Sequence, residues 1–505
     1  MIISGERQIS YGDIHARIAR AANGFRTLGM RDGKPVGMML RNDFALFEVV
    51  AAAAALGSPV VPINWHLKAD EVAYILADSG ADTLVCHADL LPQIRDGLPA
   101  AIRLLVVTTP PEIAAAYGVV PEFARVPDGM TDWDQWRDTH APLTDAPIGA
   151  APMFYTSGTT GLPKGVRRKP MRPEQLPAAA RIGAITYGVK PNEDQVILMN
   201  GPMYHSAPHS YGMLAFRNGC SIVLEPRFDP EDLLQLIARH GVTHMHMVPT
   251  MFVRLLRLPD ETRRRYDLSS LRFIIHGAAP CPVEVKRAMI EWWGPVINEY
   301  LGSTETGIPV WHSSAEALAK PGTVGRAIEG AIVRIFRPDG TPCDVGEPGE
   351  IFMRQTLISD FDYHGNAKAR AEADRDGLIS VGDVGYLDAD GYLFLCDRKR
   401  DMVISGGVNI YPAEIENTLI GMDGVRDCAV FGVPDDEYGE RLFACVEPDT
   451  GATLSVAAIQ DFLRGKLANF KVPRDIRFMD ALPREATGKI FKRKLRDLYR
   501  EGQLR

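Results

Sequence analysis

Apolar runs of two lengths alternate between residues 10 and 108 of this chain. Residues 35–40, 58–63, 83–86 and 104–108 form short runs, and 10–28, 45–56 and 67–77 form longer ones at helical spacing. Short strands separated by helical crossovers imply a parallel sheet covered on both faces. Ser10 can cap the first helix, in which Ile14, Ile18, Ala21, Ala22, Phe25 and Leu28 recur until Gly29. The pattern returns as strands at 196–199, 221–224, 243–248 and 271–275, with helices at 230–239 and 249–258. A second wound subdomain is therefore expected. The intervening segment 110–152 is rich in proline, aspartate and tryptophan and reads as a long surface excursion.

The texture changes after Val324. Short strands at 332–336, 350–353 and 392–396 are divided by Pro-Asp-Gly-Thr, Glu-Pro-Gly and Asp-Ala-Asp-Gly turns, which marks a β-rich unit. Beyond Arg400, helices at 412–420 and 456–467 lie between further strands. The expected fold class is α/β. A large N-terminal domain (1–399) would hold two wound α/β subdomains plus the β-rich unit, and a small mobile α+β domain (400–505) would follow.

Composition narrows the function. A chain of 505 residues exceeds one ordinary core, and a net charge of −8 disfavours nucleic-acid partners. Seven scattered cysteines without CxxC spacing point to a reduced compartment, with neither a disulfide framework nor a zinc site. The run 49–67 lacks charge, but Gly57-Ser58-Pro59 breaks it, so a helix leading into a strand is expected in place of a membrane span. A start of MIISGERQISYG lacks a basic-then-apolar leader, and the expected location is the cytoplasm.

The stretch 155–166, YTSGTTGLPKGV, carries the chemistry. Gly158, Gly161 and Gly165 permit close backbone approach to a ligand. Hydroxyls of Thr156, Ser157, Thr159 and Thr160 can face oxygens, and Lys164 adds a mobile positive charge. Together they suit a polyphosphate. Lys164 lies between Pro163 and Gly165, so the spacing is not that of a P-loop. Further on, Tyr300-Leu301-Gly302-Ser303-Thr304-Glu305 offers a hydroxyl for phosphate and a carboxylate for Mg²⁺, or equally a helix cap. His205, His209, His244, His246 and His276 form no recognised zinc-ligand spacing.

These stretches, in this order and over nearly the whole chain, resemble the adenylate-forming superfamily of acyl-CoA synthetases, luciferases and peptide-synthetase adenylation domains. The resemblance implies that the loop at Thr156, Ser157, Gly158, Thr159, Thr160 and Lys164 grips the β- and γ-phosphates of ATP. It further assigns Tyr300, Leu301, Gly302, Ser303 and Ala278 to ATP binding, Thr304 to phosphate and Glu305 to magnesium. Asp383 and Arg398 would contact ribose, Arg400 would be the hinge, and Ser405, Gly406 and Gly407 would border the CoA tunnel. Lys489, in Pro483-Arg484-Glu485-Ala486-Thr487-Gly488-Lys489, would meet the carboxylate and α-phosphate during adenylation. His205, His246, Met247, Gly277 and Ala279 would face the acid. One departure stands out: Leu301 occupies the place where the family usually has an aromatic residue against adenine.

The implied activity is AMP-forming ligation of a hydrophobic carboxylic acid to coenzyme A, with ATP and Mg²⁺, and a homodimer is allowed. Luciferase-like oxidation shares every motif. An amino-acid adenylating domain would keep an aspartate near 203–212, and none is there. A non-catalytic nucleotide-binding homologue is the remaining alternative, favoured only by Leu301.

Overall fold

The computed structural model describes all residues except 31–32, 146–147, 157–162, 192, 400, 406–407, 436, 485–489 and 505. Four short strands, Val36–Met39, Val60–Pro62, Thr83–His87 and Arg103–Val107, form the expected parallel sheet. Ser10 caps the helix Tyr11–Thr27 by accepting the Asp13 N–H at 3.0 Å. Such a cap contributes about 1 kcal/mol. Helix Phe44–Ala55 is buried on nearly every side, which its alanines allow by letting neighbouring backbones approach.

The segment 110–152 corrects the sequence expectation. It holds the helices Pro111–Tyr117, Pro121–Ala124 and Trp133–Asp138, and Thr131–Asp132 adds a fifth strand to the parallel sheet. Trp133 is fully buried and packs on Phe25 and Trp136. Its indole N–H donates to Glu48 Oε2 at 2.9 Å, and Arg137 Nη1 donates to the same oxygen at 3.0 Å. A helix of this length shows no periodicity, because one large ring supplies the contact that several aliphatic residues would otherwise make.

The second sheet is longer than two separate units would be. Strand Ile2–Ser4 runs parallel to Ser221–Leu224, next to Val196–Met199, His244–Met247, Phe273–His276 and Ile297–Ser303. From there the sheet continues antiparallel through Gly307–His312, Thr323–Ala327, Tyr392–Arg398, Asp383–Leu387 and Gly349–Gln355. The second wound subdomain and the β-rich unit thus share one 15-stranded sheet. Helices Leu176–Tyr187, Ser206–Arg217 and Val283–Trp293, not anticipated from the sequence, cover it.

A small sheet joins Met153–Thr156, Lys164–Arg168 and Phe361–Tyr363. The C-terminal strands Val403–Ser405, Val408–Ile410, Val425–Asp435, Gly439–Pro448 and Asp475–Phe478 form a sheet of their own. Helices Pro412–Ile420 and Val456–Arg464 pack on one face through Ile415, Leu419, Ile459 and Leu463. The basic stretch after Ile490 is the helix Lys492–Arg500, whose Leu495 and Tyr499 pack on the other face. Among the described residues no helix is long and apolar enough to cross a membrane.

Candidate active site

The strands that flank the glycine-rich stretch pair with each other. Thr156 pairs with Lys164 across Met153–Thr156 and Lys164–Arg168, so both ends of the loop are fixed by backbone hydrogen bonds. Ser157, Gly158, Thr159 and Thr160 lie outside the described residues. The neighbouring strand Phe361–Tyr363 brings Tyr363 beneath Lys164, whose Nζ sits 5.4 Å from the ring centroid.

Tyr363 also reaches Glu305. Its hydroxyl donates to Glu305 Oε1 at 3.1 Å, and Thr156 Oγ1 contacts the same oxygen at 3.4 Å. Burial and the Glu305 charge push the Tyr363 phenol well up, so it stays a donor. Glu305 belongs to a hairpin turn and not to a helix cap. Ser303 Oγ accepts the N–H groups of Glu305 and Thr306 at 3.2 and 3.1 Å between strands Ile297–Ser303 and Gly307–His312. Gly302 is required here, since a Cβ would lie 2.1 Å from the Gly307 carbonyl oxygen.

Two residues that sequence reasoning missed hold this turn. Ser206 Oγ lies 2.9 Å from Thr304 Oγ1. Arg168 donates to the carbonyls of Thr304 at 2.7 Å, Glu305 at 3.3 Å and Ser359 at 2.8 Å. Its partners are backbone oxygens far along the chain, and no local pattern announces them. A third feature lies behind the site, where Lys286 and His312 both bond Glu299 Oε2, the latter at 2.8 Å. Burial alone would raise the Glu299 pKa, but Lys286, His276 and His312 hold it well below the usual range.

Tyr300 and Leu301 point to opposite faces of their strand, as β geometry dictates. Tyr300 is buried, with its hydroxyl 3.0 Å from His246 Nε2 and its ring over Gly277. A Cβ on Gly277 would sit 2.7 Å from that ring. Ala278, next in the turn, adopts φ 67°. A non-glycine residue held there carries strain of about 1–2 kcal/mol, and it projects into the cleft. Leu301 faces the cleft opposite Val310.

Asp383 and Arg398 are cross-strand partners, with Arg398 Nε 2.6 Å from Asp383 Oδ1. His205 precedes helix Ser206–Arg217, and its ring packs 4.2 Å from that of Tyr204. His209 Nδ1 lies 3.0 Å from the Met203 carbonyl, and burial lowers its pKa to about 4, as it does for His246. Both imidazoles are neutral near pH 7.

One cleft runs past Thr156, Lys164, Glu305, Leu301, Asp383 and Arg398. His205, His246, Met247, Ala278, Ala279, Tyr300, Gly302, Ser303 and Thr304 also line it. Gly277 sits just behind its wall, and Ser405 ends an inner strand of the C-terminal sheet, paired with Val408 on one side and Gly439 on the other. Lys489, Arg400, Gly406 and Gly407 lie outside the described residues. Arg484 and Ile490, which bracket Lys489, pair with each other and line the same cleft. Met213, Met247 and Met251 line it, while Met203 and Met245 are fully buried in the core.

The cleft can therefore present hydroxyls and a lysine, a carboxylate beside them, and an aspartate–arginine pair. Residues 1–360 match the model of the AMP-binding enzyme family, and 414–489 match that of the AMP-binding enzyme C-terminal domain. The chain is 34% identical to a feruloyl-CoA synthase of Amycolatopsis sp, over 97% of this chain and 94% of that one. An anthranilate CoA ligase solved with anthranoyl-AMP superposes with a TM-score of 0.87 at 26% identity, covering 99% of this chain and 94% of the other. The o-succinylbenzoate coenzyme A synthetase of Bacillus subtilis, solved with ATP and magnesium ion, gives 0.81 at 26% identity over 98% and 96%. The chain belongs to the AMP-binding enzyme family of adenylate-forming acid–thiol ligases.

Proposed function

We propose that this protein is an AMP-forming ligase that joins a hydrophobic carboxylic acid to coenzyme A in the cytoplasm. The carrying observation is the convergence of Thr156, Lys164, Glu305, Asp383 and Arg398 on one cleft that residues 484 and 490 also line. A free carboxylate is a poor acylating agent because its leaving group would be oxide. Attack of the acid's carboxylate on the α-phosphorus of ATP gives an acyl adenylate and pyrophosphate. The CoA thiolate then attacks the acyl carbon and AMP departs, leaving the thioester.

The residues divide this work. Thr156 and Lys164 hold the outer phosphates, and Asp383 with Arg398 takes the ribose hydroxyls. Glu305, whose Oε1 already collects two hydroxyls, offers the single hard oxygen ligand that suits magnesium, which would spread the phosphate charge. Lys489 brings its ammonium to the carboxylate and α-phosphate, stabilising charge as it develops. Arg400 is the proposed hinge between residues 1–399 and 400–505. Motion there would exchange Lys489 for a pantetheine path near Ser405, Gly406 and Gly407.

The acid would lie among Tyr204, Ala207, Met213, Met247, Met251 and Ala279. Unbranched methionines adapt to an irregular tail, and the aromatic acids named for the relatives agree with that volume. The test is pyrophosphate release across a panel of carboxylic acids, with mass detection of the CoA thioester. Octanoate or an arylpropanoate should exceed acetate and amino acids in kcat/KM. Acetate or an amino acid leading by about tenfold, roughly 1.4 kcal/mol of transition-state preference, would overturn the hydrophobic assignment.

A further inference from the structure

The cleft continues past the methionines along the C-terminal edge of the large sheet. Asn200 and Glu225 directly follow the paired ends Met199 and Leu224 of adjacent parallel strands, so they share one face. Both line the cleft, and both are at least nine-tenths buried, at 4% and 2% exposure. Among the described residues, neither amide atom of Asn200 has a hydrogen-bond partner, and neither has Glu225 Oε2. The other carboxyl oxygen of Glu225 accepts the Asp229 N–H at 2.9 Å. A buried carboxamide and half a carboxyl group without partners are costly arrangements, and native interiors seldom keep them without use.

Their position fits the far end of a substrate. The Ala278 turn follows strand Phe273–His276, and the order outward is His244–Met247, Val196–Met199 and Ser221–Leu224. At strand spacing, Asn200 lies about 10 Å and Glu225 about 14 Å from that turn, the reach of a medium-length acid tail. We propose that Asn200 and Glu225 form a distal subsite that hydrogen-bonds a neutral oxygen, a carbonyl or hydroxyl, at the end of the acid remote from its carboxylate. The proposal rests on the acid-ligase reading above and narrows its substrate class.

Charge decides for a neutral group. Burial, with Asp232 and Asp229 close by, raises the Glu225 pKa well above the usual carboxylate range, while the Asp229 N–H and Arg254 oppose this. Glu225 then carries a proton to donate, and Asn200 adds both a donor and an acceptor. A second carboxylate would give up its hydration beside Asp229 and Asp232, with Arg254 the opposing charge.

The experiment compares matched acids on the intact enzyme: decanoate with 9-oxodecanoate, and 3-phenylpropanoate with 3-(4-hydroxyphenyl)propanoate. The oxygenated member of at least one pair should have the higher kcat/KM by about tenfold or more, since a site built for a polar group rejects the analogue lacking it. Asn200→Leu and Glu225→Leu should bring that ratio close to one, with turnover of the plain acid retained. Glu225→Gln keeps a donor and the carbonyl that accepts from Asp229, so it should preserve the preference and show that the fold is intact. Equal constants in both pairs, a ratio unchanged in Asn200→Leu, or preference for decanedioate would overturn the subsite alone. Absence of pyrophosphate release with every acid would overturn the ligase reading and the subsite with it.

Discussion

Glu48 and Glu225 are both out of water, and the protein treats them in opposite ways. Glu48 lies where helix Phe44–Ala55 meets Trp133–Asp138, and it receives hydrogen bonds from Arg17, Arg137 and Trp133 at 3.3, 3.0 and 2.9 Å. Its charge is matched from three sides, and its neighbours are scaffold. Glu225 sits on the cleft wall with one backbone donor and two aspartates nearby. The contrast separates a polar group that ties elements together from one kept available to something that arrives. The turn at Ser303–Thr306 stands between these cases, because Arg168 fixes its carbonyls and leaves the Thr304 and Glu305 side chains facing the cleft.

If that division holds, scaffold and cleft variants should fail in different assays. The largest effect is expected from Glu48→Ala, which removes the shared buried acceptor of Arg17, Arg137 and Trp133 and leaves Arg137 only its exposed partners Asp134 and Asp138. Breaking a buried pair from one side costs about 3–5 kcal/mol, to be read as a lower denaturant midpoint with kcat of the folded enzyme unchanged. Lost activity at full stability would place Glu48 in the wrong class. Next comes Lys489→Ala, expected to slow adenylation by about 10²–10³-fold, as for loss of one transition-state donor. Thioester formation from supplied acyl adenylate should suffer much less, and melting should not change. Equal loss in both half-reactions would remove the lysine from its proposed role.

A smaller change should follow Leu301→Tyr. If leucine is the weaker platform for adenine, tyrosine should lower KM for ATP by a few-fold to about tenfold, from the ~0.5–1.5 kcal/mol of a ring contact. A raised KM would mean that another side chain already covers the base. The smallest effect concerns Glu225→Gln. A carboxyl whose folded pKa is raised favours folding most at low pH, and that contribution is lost as pH rises from its unfolded value of about 4.5. Glutamine escapes the loss, so the variant should gain on wild type between pH 5 and pH 8, by a degree or so in melting temperature. A difference independent of pH would show that Glu225 is ionised in the folded state.

Much of this architecture was legible in the chain because its strands are apolar runs and its crossovers have helical spacing. Helix Pro412–Ile420 agrees with the sequence expectation to the residue. Failure came where one side chain replaced a pattern, as Trp133 did for the segment 110–152. Helix Ser206–Arg217 was hidden by its Pro208, His209 and Gly212, which interrupt any apolar repeat. In the site, hydroxyls and charges clustered in short stretches were readable, and the structure brings Thr156, Lys164, Thr304 and Glu305 together. Arg168 and Tyr363 were not, because they act on partners more than 50 residues away, at separations of 136 and 58. Asn200 and Glu225 look ordinary in sequence, and only strand register sets them side by side.

The pairing of Ile2–Ser4 with Ser221–Leu224 has a consequence for how the protein is made. At synthesis rates of about 5–20 residues per second, the early strand waits on the order of 10–40 s for its partner to leave the ribosome. The parallel sheet built from Val36–Met39 through Thr131–Asp132 can close within that interval, while the larger sheet has no place yet for its outer strand. Helix Tyr11–Thr27 meanwhile has its apolar face ready to pack on Phe44–Ala55. The order of assembly is thereby biased toward the smaller sheet first, with the cleft, which residues 484 and 490 also line, formed last.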